Sequence, residues 1–374
     1  MLSLGIVTPI LPVYAESMNA TGLELGIIFS GFALSRGISA PFVGQFSDRH
    51  GRKNLIVIGL IFFIILSLCY VLADSPLTLT IIRIVEGFST VLVTTVAQSY
   101  IGDIIPVGKE GNYMNLFFMS FFAGQALGPY TGGFLSDRFN INAPFYTMAA
   151  LSLIALVFVL LFVPESETIK KENTAKRPLF KSLMPVFKDK PMLGLMTYFA
   201  SRGFYRWGFN TFFPILAIKA AGLSMTNIGI LLSVYMLSGS VIQYPFGLAA
   251  DRFPNQKIAF IFWGGIISAL AMCIFTQFDS MIMYFVLTLI MGIFSSIARA
   301  SGIAIRTERG RIYGMGAATG AFTASLSFGQ VIGPVVFGII ADSFSISTAF
   351  IIGGIVGLIG TMVSTAFLKI KTDY

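Results

Sequence analysis

Of 374 residues, 55% are hydrophobic and 11% charged, where an ordinary soluble protein carries about 25% charged residues, so a soluble globular fold is excluded. The formal net charge of +8 does not point to a nucleic-acid partner, because the basic residues gather on alternate loops, as membrane orientation requires. Cys69 and Cys273 lie inside apolar helical runs, where a free Cys behaves as a small hydrophobe, and they imply neither a disulfide nor a metal framework.

A bilayer-crossing helix needs about 20 mainly apolar residues. Apolar runs bounded by Gly, Pro and charge clusters predict twelve helices, near 2–15, 22–46, 55–73, 77–102, 112–135, 144–163, 192–218, 225–249, 257–276, 280–304, 313–340 and 347–368. The run from Leu55 to Leu72 is almost unbroken, unlike the alternating segments of about ten residues in an outer-membrane barrel, so the fold class is an all-α polytopic membrane protein. The first run, Leu2 to Ala15, reaches about 21 Å of a roughly 30 Å hydrocarbon core, which predicts a helix 1 truncated by about a dozen residues. The one long polar stretch follows helix 6 and divides the chain into an N-terminal six-helix bundle (1–164), a linker (165–190) and a C-terminal six-helix bundle (191–374). Within the linker Leu179, Phe180, Leu183, Met184 and Phe187 sit at helical spacing among lysines, the pattern of a helix lying on the inner membrane surface.

Arg49, Arg52, Lys53, Lys109, the linker lysines, Arg252, Lys257, Arg306, Arg309 and Arg311 fall on one set of loops, and Arg138 and Lys219 on the other. By the positive-inside rule the first set, the linker and both termini face the cytoplasm of a multi-pass protein in the cell membrane.

The halves repeat each other. Gly44, Asp48 and Arg49 recur 203 positions on as Gly247, Asp251 and Arg252. Gly124-Gln125-x-x-Gly128-Pro129 recurs 205 positions on as Gly329-Gln330-x-x-Gly333-Pro334, and Pro9-Ile10-Leu11 recurs at the same offset as Pro214-Ile215-Leu216. A nearly constant offset marks an internal duplication of six helices, with both copies in the same orientation because six is even.

The loop after helix 2 reads Gly44-Gln45-Phe46-Ser47-Asp48-Arg49-His50-Gly51-Arg52-Lys53. It resembles the signature between helices 2 and 3 of the major facilitator superfamily, and the resemblance covers the whole chain. It implies two pseudo-symmetric bundles and a cytoplasmic latch of Gly44, Asp48, Arg49, Gly51 and Arg52 with Asp103 at the end of helix 4, breaking and reforming during alternating access. Helix 4 carries Arg83-Ile84-Val85-Glu86-Gly87, similar to a second family signature, Arg-x-x-Gln-Gly, with glutamate in place of glutamine. Helix 5 carries Gly124-Gln125-Ala126-Leu127-Gly128-Pro129-Tyr130-Thr131-Gly132-Gly133, similar to the family's helix 5 signature of antiporters, notably drug:proton efflux. The mechanics of that stretch are readable from its residues: small side chains four apart admit a close neighbour, and Pro129 frees the Gln125 carbonyl and bends the helix. Gly329, Gly333 and Pro334 repeat the device in the second half.

An ionisable group inside a span costs at least a few kcal/mol and normally meets a partner or a wet cavity. Glu86 is the only carboxylate well inside a predicted span, and the single histidine, His50, is in a loop. Glu86, tuned by Arg83, is therefore the candidate proton-coupling group; the alternative is a permanent buried pair with Arg83 or Arg36. Arg36, Arg83, Arg202, Arg206 and Arg299 lie within predicted spans. The family resemblance places all five on cavity-lining helices and implies a substrate cavity that includes Arg36, Arg83, Glu86, Arg202, Arg206, Tyr205, Gln125 and Gln330. Its basic excess favours anionic or amphipathic substrates over cations. Arg299, near the cytoplasmic end of its predicted helix, is equally able to snorkel to the surface.

The expected function is secondary transport by alternating access, as proton-coupled efflux of small amphipathic compounds or drugs. The alternative is a carrier that takes up or exchanges organic anions or metabolites. With no phosphate loop, metal-ligand cluster or nucleophile–base arrangement, the chain reads as neither an enzyme nor a cofactor protein. The expected partners are a small-molecule substrate, protons and the bilayer, around a monomer.

Overall fold

The computed structural model describes residues 1–104, 110–165 and 185–370, without the side chains of residues 48–50, 110–112 and 115. The described residues form twelve long helices: α1 (Leu2–Ser17), α2 (Gly22–His50), α3 (Lys53–Val71), α4 (Pro76–Ile104), α5 (Glu110–Arg138), α6 (Ala143–Phe162), α7 (Lys190–Ala221), α8 (Met225–Arg252), α9 (Lys257–Ile274), α10 (Met281–Tyr313), α11 (Met315–Ser343) and α12 (Ile346–Lys369). Nine of the described helices are long and apolar enough to cross a membrane by composition, and Leu2–Ser17 is a shorter apolar helix. The two left over, α5 and α7, carry the polar and charged residues that make them informative.

The helix boundaries follow local chemistry. At the start of α2, Thr21 and Glu24 form a capping box: the Thr21 amide donates to Glu24 Oε2 at 2.8 Å and the Glu24 amide to Thr21 Oγ1 at 3.2 Å, worth about 1 kcal/mol. Asp189 caps α7 by accepting from the Met192 amide at 3.1 Å. That helix ends at Gly222, whose φ of +59° is the left-handed conformation a helix terminus favours in glycine. Ser345 caps α12 through the Thr348 amide at 3.0 Å.

The chain divides into two compact units, one of Met1–Thr174 with Ser224–Ile230 and one of Ala175–Leu223 with Leu231–Tyr374. In the first, α1 packs on α5, α2 on α4, and α3 on both α4 and α6; in the second, α7 packs on α11 and α12, and α9 on α10 and α12. Glycines set the closest approaches. A Cβ at Gly5 of α1 would stand 2.7 Å from the Gln125 carbonyl oxygen and 2.9 Å from Gly128 Cα, and one at Gly203 of α7 would stand 2.5 Å from the Leu326 carbonyl oxygen of α11. Gly128 and Gly132 lie against the backbone of α1 at Gly5 and Ile6, and Gly329 and Gly333 against that of α7 at Ala200 and Phe204. The repeated glycines of the helix 5 and helix 11 signatures are thus contact surfaces for the first helix of each copy. Around Phe209 a buried aromatic group fills the second unit, with Phe213, Phe275 and Phe350 at centroid distances of 4.8, 5.4 and 5.9 Å.

One boundary departs from expectation. The tenth helix runs to Tyr313, nine residues past the predicted 304, so Arg299 stands mid-helix and not near an end. Composition misled because the extension, Ile305–Tyr313, is polar and basic, and reads as a loop. Its polar side chains are instead tied down: Lys257 pairs with Glu308, Arg309 Nη1 lies 3.6 Å from Asp189 Oδ1, and the Tyr313 hydroxyl donates to the same oxygen at 3.2 Å. The linker helix expected around Leu179–Phe187 falls mostly outside the described residues; residues 185–188 are helical, with Val186 fully buried.

Candidate functional site

Glu86 sits in α4 with no exposed surface. Its Oε2 accepts from Arg83 Nη1 at 2.8 Å and from the Tyr70 hydroxyl of α3 at 2.6 Å. Arg83 and Glu86 meet because residues three apart share a helix face. The guanidinium also lies over the rings of Phe29 and Phe32 of α2, at 4.9 and 4.7 Å from their centroids. Gly87 makes that approach possible: a Cβ there would stand 2.5 Å from the Phe32 carbonyl oxygen. Tyr70 is held in turn by Phe145 of α6, stacked at 5.0 Å, and its carbonyl accepts from the Tyr14 hydroxyl of α1 at 3.0 Å. Four helices other than α4 therefore fix one carboxylate. Its second oxygen, Oε1, has no hydrogen-bond partner among the described residues, and neither has Arg83 Nε.

Arg83 and Glu86 are together, as their spacing predicts, and Arg36 is not part of the pair. It lies on the exposed face of α2, with its backbone near Gly87. Gln125 and Gln330 are half-buried on α5 and α11. Tyr205 is buried, with its hydroxyl 3.2 Å from Ser268 Oγ of α9 and its ring beside Gly357 of α12. Sequence reasoning missed Tyr70 altogether, since nothing local to it signals a partner 16 residues away on the next helix.

In the second unit Arg202 and Arg206 lie one turn apart on α7, with Arg202 buried and Arg206 half-buried. The Arg206 guanidinium carbon is 5.8 Å from the centroid of the Tyr235 ring of α8. Arg299 of α10 is within electrostatic range of both arginines and of the Tyr235 and Tyr198 hydroxyls. Two turns before Arg299, Gly292 brings α10 close to α8: a Cβ there would stand 2.6 Å from the Tyr235 carbonyl oxygen.

The signature loop after α2 is described in part. Arg52 pairs with Asp103, with Nη2 donating to Oδ1 at 3.1 Å. The side chains of Asp48 and Arg49 lie outside the described residues. Gly51 turns the chain at φ +87°, and Gly44 has open space beside it. Glu165, just past α6, caps α3 by accepting from the amides of Arg52 and Lys53 at 2.8 and 3.1 Å. The pair Lys257–Glu308 occupies the seat of Arg52–Asp103, each residue 205 positions further on. Neither Lys257 nor Glu308 was singled out by sequence, although the repeat offset would have found both.

At the opposite end of α5, Asp137 accepts from the Met225 and Thr226 amides at 3.2 and 2.7 Å, gripping the N-terminus of α8. Burial pushes its carboxyl up, but hydrogen bonds from Thr226, Ser224 and Met225 outweigh that and hold it below the usual aspartate range. Ser136-Asp137-Arg138 repeats the Ser47-Asp48-Arg49 of the signature loop, the one sequence signal that could have flagged it. Among the described residues no group of three or more His, Cys, Asp and Glu side chains could hold a metal ion.

Twelve helices in two repeated sets, helix-bend glycines and a buried ionic pair define a secondary transporter of the membrane, and the family model agrees. Residues 1–227 and 199–373 match the Major Facilitator Superfamily, and the chain belongs to that family of non-enzymatic transporters. It is 28% identical over 351 residues to the quinolone resistance protein NorA of Staphylococcus aureus, covering 91% of this chain and 87% of that protein. Multidrug resistance protein 2 of Bacillus subtilis is 25% identical over 383 residues, covering 100% and 93%. Among solved structures, a bacterial homolog of the human lysosomal transporter Spinster, in an inward-facing and unoccupied conformation, superposes with a TM-score of 0.82 at 16% identity, covering 98% of this chain and 92% of that one. The fold is shared; the substrate is a separate matter.

Proposed function

We propose that the protein exports small amphipathic compounds from the cytoplasm in exchange for protons, with Glu86 as the proton-carrying group. The observation that carries this reading is the burial of Glu86 inside a span, with one oxygen shared by Arg83 and Tyr70 and the other unpartnered. The drug-resistance names of the relatives support efflux as the direction. The helix 5 signature supports antiport. Protonation from outside releases Arg83 and Tyr70 from a charged acceptor; deprotonation inside restores the pair, and each inward positive charge draws about 2.3 kcal/mol per 100 mV from the membrane potential. The chain works as a monomer in the cell membrane with both termini cytoplasmic, a topology supported by the basic loops.

The test is Glu86→Gln in proteoliposomes loaded with a quinolone or a lipophilic dye under an imposed pH gradient. Glutamine keeps the size and an acceptor oxygen but cannot titrate. Gradient-driven flux should fall at least about tenfold, the loss typical of removing a proton-transfer group, while binding of the same compound changes little. Undiminished gradient-driven flux would take Glu86 out of the mechanism.

A further inference from the structure

The seven residues Ser224–Ile230, which open α8, group with the first unit, whereas Leu223 before them and Leu231 after them belong to the second. Two kinds of contact hold this segment on α5. Asp137, in the last turn of α5, takes the Met225 amide on Oδ1 at 3.2 Å and the Thr226 amide on Oδ2 at 2.7 Å. One carboxylate thus satisfies two of the amides that the start of a helix leaves without intrahelical partners. Behind it backbone meets backbone. A Cβ at Gly133 would stand 3.0 Å from the Thr226 nitrogen, and one at Gly229 3.0 Å from Tyr130 Cα, with the Met225 and Pro129 carbonyl oxygens nearer still.

Both contacts suit a joint that parts. Asp137 is exposed, so water can replace the amides as they leave, and glycine surfaces separate without any side chain being drawn from a socket. The joint is also short. Phe118 lies eleven residues, about three turns, before Pro129, and Leu237 eleven after Thr226, so each shares the helix face that enters the joint. Phe118 is 37% and Leu237 38% exposed, so the faces covered at the joint are uncovered three turns away.

We propose that Asp137, Gly133 and Gly229 form a reversible clasp that holds the first turn of α8 on α5 and lets go once in each transport cycle. Because Leu223 and Leu231 on either side belong to the second unit, the units can move against each other only when the segment leaves α5. Asp137 is a positioning residue here: it acts through α8, setting how firmly the clasp stays shut. The inference rests on transport by alternating access, but on neither Glu86 nor the identity of the cargo.

The experiment uses the full-length protein with Cys69→Ala and Cys273→Ala, adds Asp137→Cys and Thr226→Cys, and joins the two new thiols with a short bis-methanethiosulfonate reagent. The covalent tie stands in for the polar one and cannot let go. In proteoliposomes, transport of a lipophilic dye should fall at least about tenfold on cross-linking while dye binding is retained, and should return on reduction with dithiothreitol. Transport at the untied rate in the cross-linked protein, or thiols that the reagent does not join, overturns the proposal. A second measurement needs no cargo. With Thr226→Cys as the one thiol, a membrane-impermeant maleimide should react about threefold faster when Asp137→Asn is added, because an amide oxygen holds the two backbone amides less firmly than a carboxylate does. Equal labelling rates in the two folded proteins would also overturn it. Should the untied protein move no dye, the export reading fails and the labelling rates alone decide the clasp.

Discussion

The two units treat buried charge in opposite ways. In the first, Arg83, Glu86 and Tyr70 form a closed set in which one carboxylate oxygen satisfies both donors, with Phe29, Phe32 and Phe145 packed around it. In the second, Arg202 and Arg206 lie one turn apart on α7, with Arg206 over the Tyr235 ring of α8, and the apolar stretch of α7 carries no acid. The two halves carry repeated motifs at an offset of about 205 positions. The ion pair at matching positions is present in both copies, Arg52–Asp103 and Lys257–Glu308. The repeat keeps this ion pair and differs in its buried polar positions.

The sharpest way to break this comparison is to delete one arginine from each unit. Arg83→Gln leaves Glu86 buried beside a neutral group, and loss of one partner from a buried pair costs about 3–5 kcal/mol. Thermal unfolding in detergent should show a large drop in Tm that Arg83→Lys partly restores; an unaltered Tm would mean that water reaches Glu86 in the folded protein. A smaller loss is expected at the contact of α7 with α11 inside the second unit. Gly333→Ala drives a methyl into the Phe204 carbonyl, and overpacking of this kind costs about 1–3 kcal/mol; an equally stable Gly333→Ala protein would show that α7 and α11 separate freely. In contrast to Arg83→Gln, Arg202→Gln removes a charge that has no ion pair among the described residues. Its Tm should be unchanged or higher, and a drop as large as that of Arg83→Gln would dissolve the contrast between the units.

The smallest effect sharpens the comparison by assigning pH sensitivity. Asp137 has a carboxyl held below its ordinary value, so its grip on α8 is present above the released value of about 3.9 and is lost only as pH falls through the lower bound value. Between pH 5 and 8 it does not titrate. Asp137→Asn should therefore lower transport by the same modest factor at pH 5.5 and pH 8. A profile whose midpoint moves in Asp137→Asn would shift the titrating role toward α5.

Much of this was legible in the sequence, and the exceptions have causes. Periodic apolar runs placed all twelve helices because a bilayer enforces length and polarity together. Glu86 was visible because a lone carboxylate in an apolar span is costly. The far end of α10 was not visible: Lys257 and Asp189, which hold Glu308, Arg309 and Tyr313, are 51 to 124 residues away, and no local pattern encodes a partner that distant. Tyr70 escaped notice because a tyrosine in an apolar run is ordinary until its neighbour on the next helix is known. Cavity membership of Tyr205 was inferred from its place beside two arginines, whereas its hydroxyl is engaged with Ser268.

Glu165 and Asp189 frame the polar connection from both sides, each fastened to the fold it adjoins: Glu165 to the start of α3, Asp189 to α7 and α10. A backbone cut anywhere between them leaves both fastenings whole. Both anchors stay with the helices they fasten, which makes this stretch a natural place to insert a reporter or a tag.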